Sequence, residues 1–212
     1  MLRVCIMIIA LTGTLTISAQ SKAATKMLDR LAKKYDTYSS MEMDFDLSIQ
    51  YPDRPVQAQK AKIIQAGERF VFRSEDQDIY GDGVDIWLHL KARNEVQINN
   101  YDEDTELGLI TPRDLLKQYK SDEFKYDLLQ EDDSAAYIEF VPTDRASEYS
   151  KYRLKINKSA NDIAQVEAFG KDGSKYVVTI ADKKVNGEYA DAFFTFDADS
   201  HPGVYIEDLR ID

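Results

Sequence analysis

The stretch "MEMDFDLSIQY", residues 41–51, decides the fold. Met41, Met43, Phe45, Leu47, Ile49 and Tyr51 are apolar, and Glu42, Asp44, Asp46, Ser48 and Gln50 between them are polar. An errorless period of two is the pattern of a strand with one dry face and one wet face. "PDRP" then turns the chain. Further short strands follow: "AKIIQ", "RFVFRS", "QDIYG", "DIWLHL", "EVQINNY", then "FKYDLLQ", "AAYIEFVP", "YRLKINK", "IAQVEAFG", "KYVVTIAD", "ADAFFTFD" and "GVYIEDLRI". The Asp-Gly of "KDGS" and the Asn-Gly of "VNGE" are hairpin turns. About 11 or 12 antiparallel strands with no βαβ spacing make a mainly β chain of the α+β kind, a meandering curved sheet or barrel.

Two segments change the period. In "KAATKMLDRLAKKYDTYSS", Met27, Leu28, Leu31 and Tyr35 recur at helical spacing opposite lysines and an aspartate, which predicts an amphipathic helix over 22–37. In "TPRDLLKQYKSDEF", Thr111 fits an N-cap, Pro112 the first helical position and Asp114 the third. Leu115, Leu116 and Tyr119 give that short helix an apolar stripe, which suits a packing helix or a lid.

The first 21 residues carry one charge, Arg3, and the apolar run "VCIMIIALTGTLTI" is too short to span a bilayer. A signal peptide, residues 1–19, cleaved after Ala19, is the expectation, with a retained anchor as the alternative. Residues 20–212 then form one domain without cysteine, so disulfides have no part in it. The mature chain carries 26 basic against 38 acidic residues. Nothing in that balance attracts nucleic acid or anionic headgroups, and any lipid must be held by its tails.

Catalytic patterns are missing. Asp82 and Asp85 flank a glycine turn beside Trp87, and read as turn and outer-face residues, not as an acid pair across a cleft. Asp102, Glu103, Asp104 and Glu106 have the acid density of a calcium loop, but Leu107 stands where the loop needs glycine. His89 and His201 show no metal-ligand spacing. There is no G-x-S-x-G and no phosphate cradle. No enzyme, no cofactor and no metal are expected.

The apolar face is therefore the informative one. Met43, Phe45, Leu47, Ile49, Phe70, Phe72, Ile86, Leu88, Leu90, Phe194 and Phe196 are read as one concave surface, with His89 and Trp87 on the other side. Leu28, Leu31, Leu115, Leu116 and Tyr119 are read as the helical lid over it. Pattern alone does not choose between a filled and a hollow interior.

Four stretches resemble the periplasmic outer-membrane lipoprotein carrier family (LolA-like): the N-terminal helix entering "YSSMEMDFDLSI", then "AGERFVFRSEDQDIYGDGVDIWLHLKARNEVQI", "TPRDLLKQY", and "FFTFDADSHPGVYIEDLR". The D-G-x-x-[IL]-W element, here Asp82, Gly83, Ile86 and Trp87, is the most specific. The resemblance implies an open, curved antiparallel half-barrel of about 11 strands, with an N-terminal and a short helix covering the concave face. It also implies a monomer that takes acylated lipoproteins from an inner-membrane transporter to an outer-membrane receiver. That family's latch arginine precedes an F-x-F strand, where this chain reads Gly67-Glu68 with Arg69 shifted, so the latch is not carried over.

Burying an acyl chain of ~15 methylenes is worth about 12 kcal/mol at ~0.8 kcal/mol each. Two competing functions stand beside the carrier: a periplasmic sensing or interaction module on the same fold, and a secreted hydrolase.

Overall fold

The computed structural model describes residues 16–101 and 112–211. The strand that opened the sequence reading is β1 (Met41–Gln50), and β2 (Gln57–Ala66), β3 (Arg69–Arg73), β4 (Gln77–Gly81), β5 (Asp85–Leu90) and β6 (Glu95–Asn100) follow as hairpins. After a helix come β7 (Phe124–Glu131), β8 (Ala135–Pro142), β9 (Tyr149–Asn157), β10 (Asp162–Gly170), β11 (Lys175–Val185) and β12 (Tyr205–Asp208). All twelve form one open curved sheet in the order β12-β6-β5-β4-β3-β2-β1-β11-β10-β9-β8-β7. Its two meanders join along β1 and β11, where Leu47 faces Val178 and Met41 faces Val185.

The register follows the alternation. Met41, Met43, Phe45 and Leu47 are buried and Ile49 is half-buried, while Glu42 turns to the opposite face and pairs with Lys62 at 2.6 Å. A one-residue slip would have reversed every one of these.

Two helices cover the inward face, α1 (Thr16–Tyr35) and α2 (Pro112–Gln118). α2 starts at its proline, where a missing N–H costs nothing; its proposed cap Thr111 lies outside the described residues. α1 places Ala24, Met27, Leu28, Leu31 and Tyr35 in the main core, and Leu115, Leu116 and Tyr119 join them. The Tyr119 hydroxyl donates to Asp29 at 2.7 Å and ties the helices together. At the far end of α1, Asp162 accepts from Tyr35 at 2.7 Å and from Lys34 at 2.9 Å, and also binds Lys183. Burial raises the Tyr35 phenol above its ordinary value, and the two ammonium groups keep Asp162 ionised below its own despite burial.

Three expectations need correction. "ADAFFTFD" is no strand: Asp191–Phe194 is a 3-10 turn within a C-terminal strap crossing the outer face. β12 pairs with β6 in parallel, so the sheet is not antiparallel throughout. The strap reaches β6 after crossing the sheet, and arrives running the same way. Finally, the outer face beneath it is dry. Ile64, Val71, Tyr80 and Phe194 form a second core, with Trp87, Phe193 and Phe196 packed on it.

Candidate functional site

Where β1, β3, β9, β10 and β11 approach one end of the concave face, the helices do not reach, and a cavity of about 300 Å³ remains. Leu47, Phe72, Tyr152 and Val166 form its buried part, and Ile49, Tyr149, Ala168, Tyr176 and Val178 are half-buried around them. Its polar residues, Gln59, Ser74, Asp76 and Gln77, come from β2, the β3–β4 turn and the first position of β4. Ser74 fixes that turn: its N–H donates to the Gln77 carbonyl at 2.9 Å, and its hydroxyl does so at 3.1 Å. Burial and the Tyr51 hydroxyl raise the Tyr176 phenol, so it presents a neutral wall at physiological pH.

An aromatic chain links this cavity to the helices. Ring centroids follow one another from Tyr176 to Tyr149 at 6.1 Å, to Tyr152 at 5.1 Å, to Phe124 at 5.8 Å and to Phe140 at 6.2 Å. Tyr126 lies 5.6 Å beyond Phe140, and Tyr119 of the α2 segment 6.2 Å beyond that. Offset and edge-on ring pairs hold such a wall together. The concave side is thus filled at one end and hollow at the other.

The residues expected to line this surface divide four ways. Leu47, Ile49 and Phe72 line the cavity. Met43, Phe45, Phe70 and Ile86 share its face but are packed into the main core, and Leu88 rests against that core. Leu90 keeps the same side of β5, half-buried and outside the packed cluster. Phe194 and Phe196 are the correction: both lie on the convex side, because the strap that carries them covers Val71 and Tyr80. All five lid residues are buried in the main core and none lines the cavity. They fill the concave side; no cover over the cavity is formed by them.

Sequence reasoning missed Tyr149, Tyr152, Val166, Ala168, Tyr176 and Val178. The unbroken apolar run in "KYVVTI" hides which side of β11 points inward, and only its pairing with β1 reveals it. The acids beside Trp87 act as fasteners. Asp82 accepts the N–H groups of Val84 and Asp85 at 2.8 Å each, and Asp85 holds Arg210 of the strap at 2.8 Å. Gly83 completes that turn at φ +92°, a backbone that favours glycine. Arg69 binds Asp191 and stacks over Phe194 at 4.8 Å, so it clamps the strap on the convex side. Asp102 and Asp104 lie outside the described residues.

Among solved structures, an uncharacterized conserved protein from Thermus thermophilus superposes with a TM-score of 0.56 at 10% identity, covering 88% of this chain and 99% of that one. A DUF1329 family protein from Desulfovibrio piger gives 0.49 at 15% identity over 84% and 98%. A LolA superfamily protein from Nitrosomonas europaea gives 0.46 at 16% identity over 82% and 98%. At 10% identity the Thermus likeness is one of fold. No curated protein matches the sequence. A family model does, that of the outer membrane lipoprotein carrier protein LolA, over residues 64–197. That span holds ten of the thirteen cavity-lining residues and the Asp82–Trp87 turn. Sheet, cavity and matched span together place the chain in the LolA family of outer membrane lipoprotein carrier proteins.

Proposed function

We propose that this protein is a periplasmic carrier that shelters the acyl part of a lipoprotein while it passes from an inner-membrane transporter to an outer-membrane receiver. The apolar cavity on the concave face is the observation that carries this reading. At about 300 Å³ it lies at the small end of ligand sites, which span about 300–1,000 Å³. Counting ~30 Å³ for each water-sized unit, it takes about ten methylenes, part of one acyl chain. Their burial contributes at most about 8 kcal/mol, corresponding to about micromolar affinity before the cost of association. Such cargo exchanges, but escapes into water slowly enough to profit from a docked receiver. No catalytic step enters this reading.

The test fills the cavity. Ala168→Trp, at a half-buried lining position, is expected to keep the fold by circular dichroism. It should also lose the lipid that mass spectrometry detects in organic extracts of the wild-type protein, and fail to support lipoprotein sorting in a depleted strain. Wild-type protein that yields no lipid would favour the interaction module instead. One feature suits that second reading: the outer edge β12, where Tyr205 and Ile206 stand exposed beside Leu209 and Ile211.

A further inference from the structure

The cavity is apolar inside and acidic at its mouth. Among its lining residues Asp76 alone is charged, and it is exposed, whereas Leu47, Phe72, Tyr152 and Val166 are buried. Asp76 shares the β3–β4 turn with exposed Glu75, and neither carboxylate has an ion pair among the described residues. One cation beside this turn is already committed. Lys91 binds Asp78 at 2.8 Å and donates to the Ser74 carbonyl at 2.6 Å. The Ser74–Gln77 hydrogen bonds hold this tip in place, so its charges are positioned before any ligand arrives.

Acids exceed bases by one over the hairpin connections at this end of the sheet. Five meet there: 51–56, 74–76, 91–94, 143–148 and 171–174. Asp53, Glu75, Asp76, Asp144, Glu148 and Asp172 stand against Arg54, Lys91, Arg93, Arg145 and Lys171. Arg54 stacks on the Tyr51 ring at 5.4 Å, and Lys171 donates to the Arg145 carbonyl at 2.7 Å.

We propose that the cavity selects an acyl chain whose head carries a protonated amine, and discriminates against carboxylate and other anionic heads. The inference rests on the carrier reading of this site and adds the chemistry of the cargo's polar end. Tail burial supplies affinity irrespective of the head. The head remains at the mouth, where the sign of its charge meets two unpaired carboxylates. An unblocked lipidated N-terminus and an ethanolamine headgroup both carry this ammonium.

Three probes with one chain length test it: dodecylammonium, dodecyl maltoside and dodecanoate, each titrated calorimetrically below its micelle concentration at neutral pH and low salt. The expected order is ammonium, then maltoside, then carboxylate, with about fivefold between neighbours, as for exposed charge pairs. Glu75→Gln with Asp76→Asn should collapse that order, and high salt should compress it likewise. A monoacylated peptide that binds about fivefold better with its α-amine free than acetylated, and better than lysophosphatidylethanolamine, assigns the ammonium to a polypeptide. The opposite ranking of peptide and lysolipid assigns it to the headgroup. Dodecanoate binding as tightly as dodecylammonium, or an order that survives the double substitution, overturns the inference while the carrier reading stands. Failure of all three probes to bind removes the carrier reading itself.

Discussion

Gly81 lies directly across from Phe70 in the β3–β4 ladder, and a Cβ on it would overlap the Phe70 ring. The ring fills the space that a side chain would take. Gly81→Ala should therefore cost about 1–3 kcal/mol, the usual penalty of overpacking, measurable as a lower denaturation midpoint. His89 poses a different problem. It is buried on the convex side, where among the described residues neither ring nitrogen has a hydrogen bond of normal geometry, against Phe196 at 5.3 Å and His201 at 4.8 Å. Burial, and then the facing His201, hold its pKa below the ordinary 6.5; Asp78 opposes this and Lys91 adds to it. The unfolded chain thus binds this proton at higher pH than the folded one does. Strap docking is fully stable above about pH 6.5 and weakens as pH falls from there towards the folded value. Trp87, the only tryptophan, packs on the same cluster and reports on it. Its emission should shift on mild acidification in the wild type and stay level in His89→Phe.

At the scale of elements, both helices are structural parts whose anchors differ. α2 is held by burial: Leu115 is fully buried and Leu116 nearly so. Leu115→Asp should lower thermal stability by several kcal/mol, since it buries a charge without a partner. Loss of ligand binding in a variant that melts normally would restore the lid role. α1 is held at its C-terminal end by Asp162, whose ion pairs also satisfy the half-buried Lys183. Asp162→Ala should destabilise by about 2–3 kcal/mol, because a partly buried ammonium is left unpaired. Asp162 has a depressed pKa, so its contribution is complete above the ordinary carboxylate range and disappears as pH falls through the folded value. Urea midpoints measured from neutral pH down to pH 3 should converge for variant and wild type at the acid end.

Over the whole molecule, legibility followed the physics of faces. β1 was readable because one of its faces is dry and the other carries ion pairs, so the alternation had no errors. Phe194 and Phe196 also stand two apart, yet they belong to a strap that lies on the sheet from outside. Period fixes the sides of an element and leaves open what covers each side. A hint was present in "RFVFRS": Phe70, Val71 and Phe72 are consecutive apolar residues, as expected of a strand buried on both faces. The cavity was legible only as a surplus of apolar surface. Its walls come equally from β9, β10 and β11, whose inward sides depend on pairing with β1 across most of the chain length.

That seam sets an order in time. β1 pairs at once with β2, but its other neighbour, β11, is among the last strands to be synthesised. A chain emerging from its N-terminus can zip β1 to β6 into hairpins early, while the second edge of β1 waits, its backbone groups unpaired. Until residues 175–185 arrive, the two halves have no common sheet and the cavity has no second wall. Any fragment ending before Lys175 should therefore be sticky and unable to hold a ligand, and the full chain acquires its hollow only as its last long strand locks in.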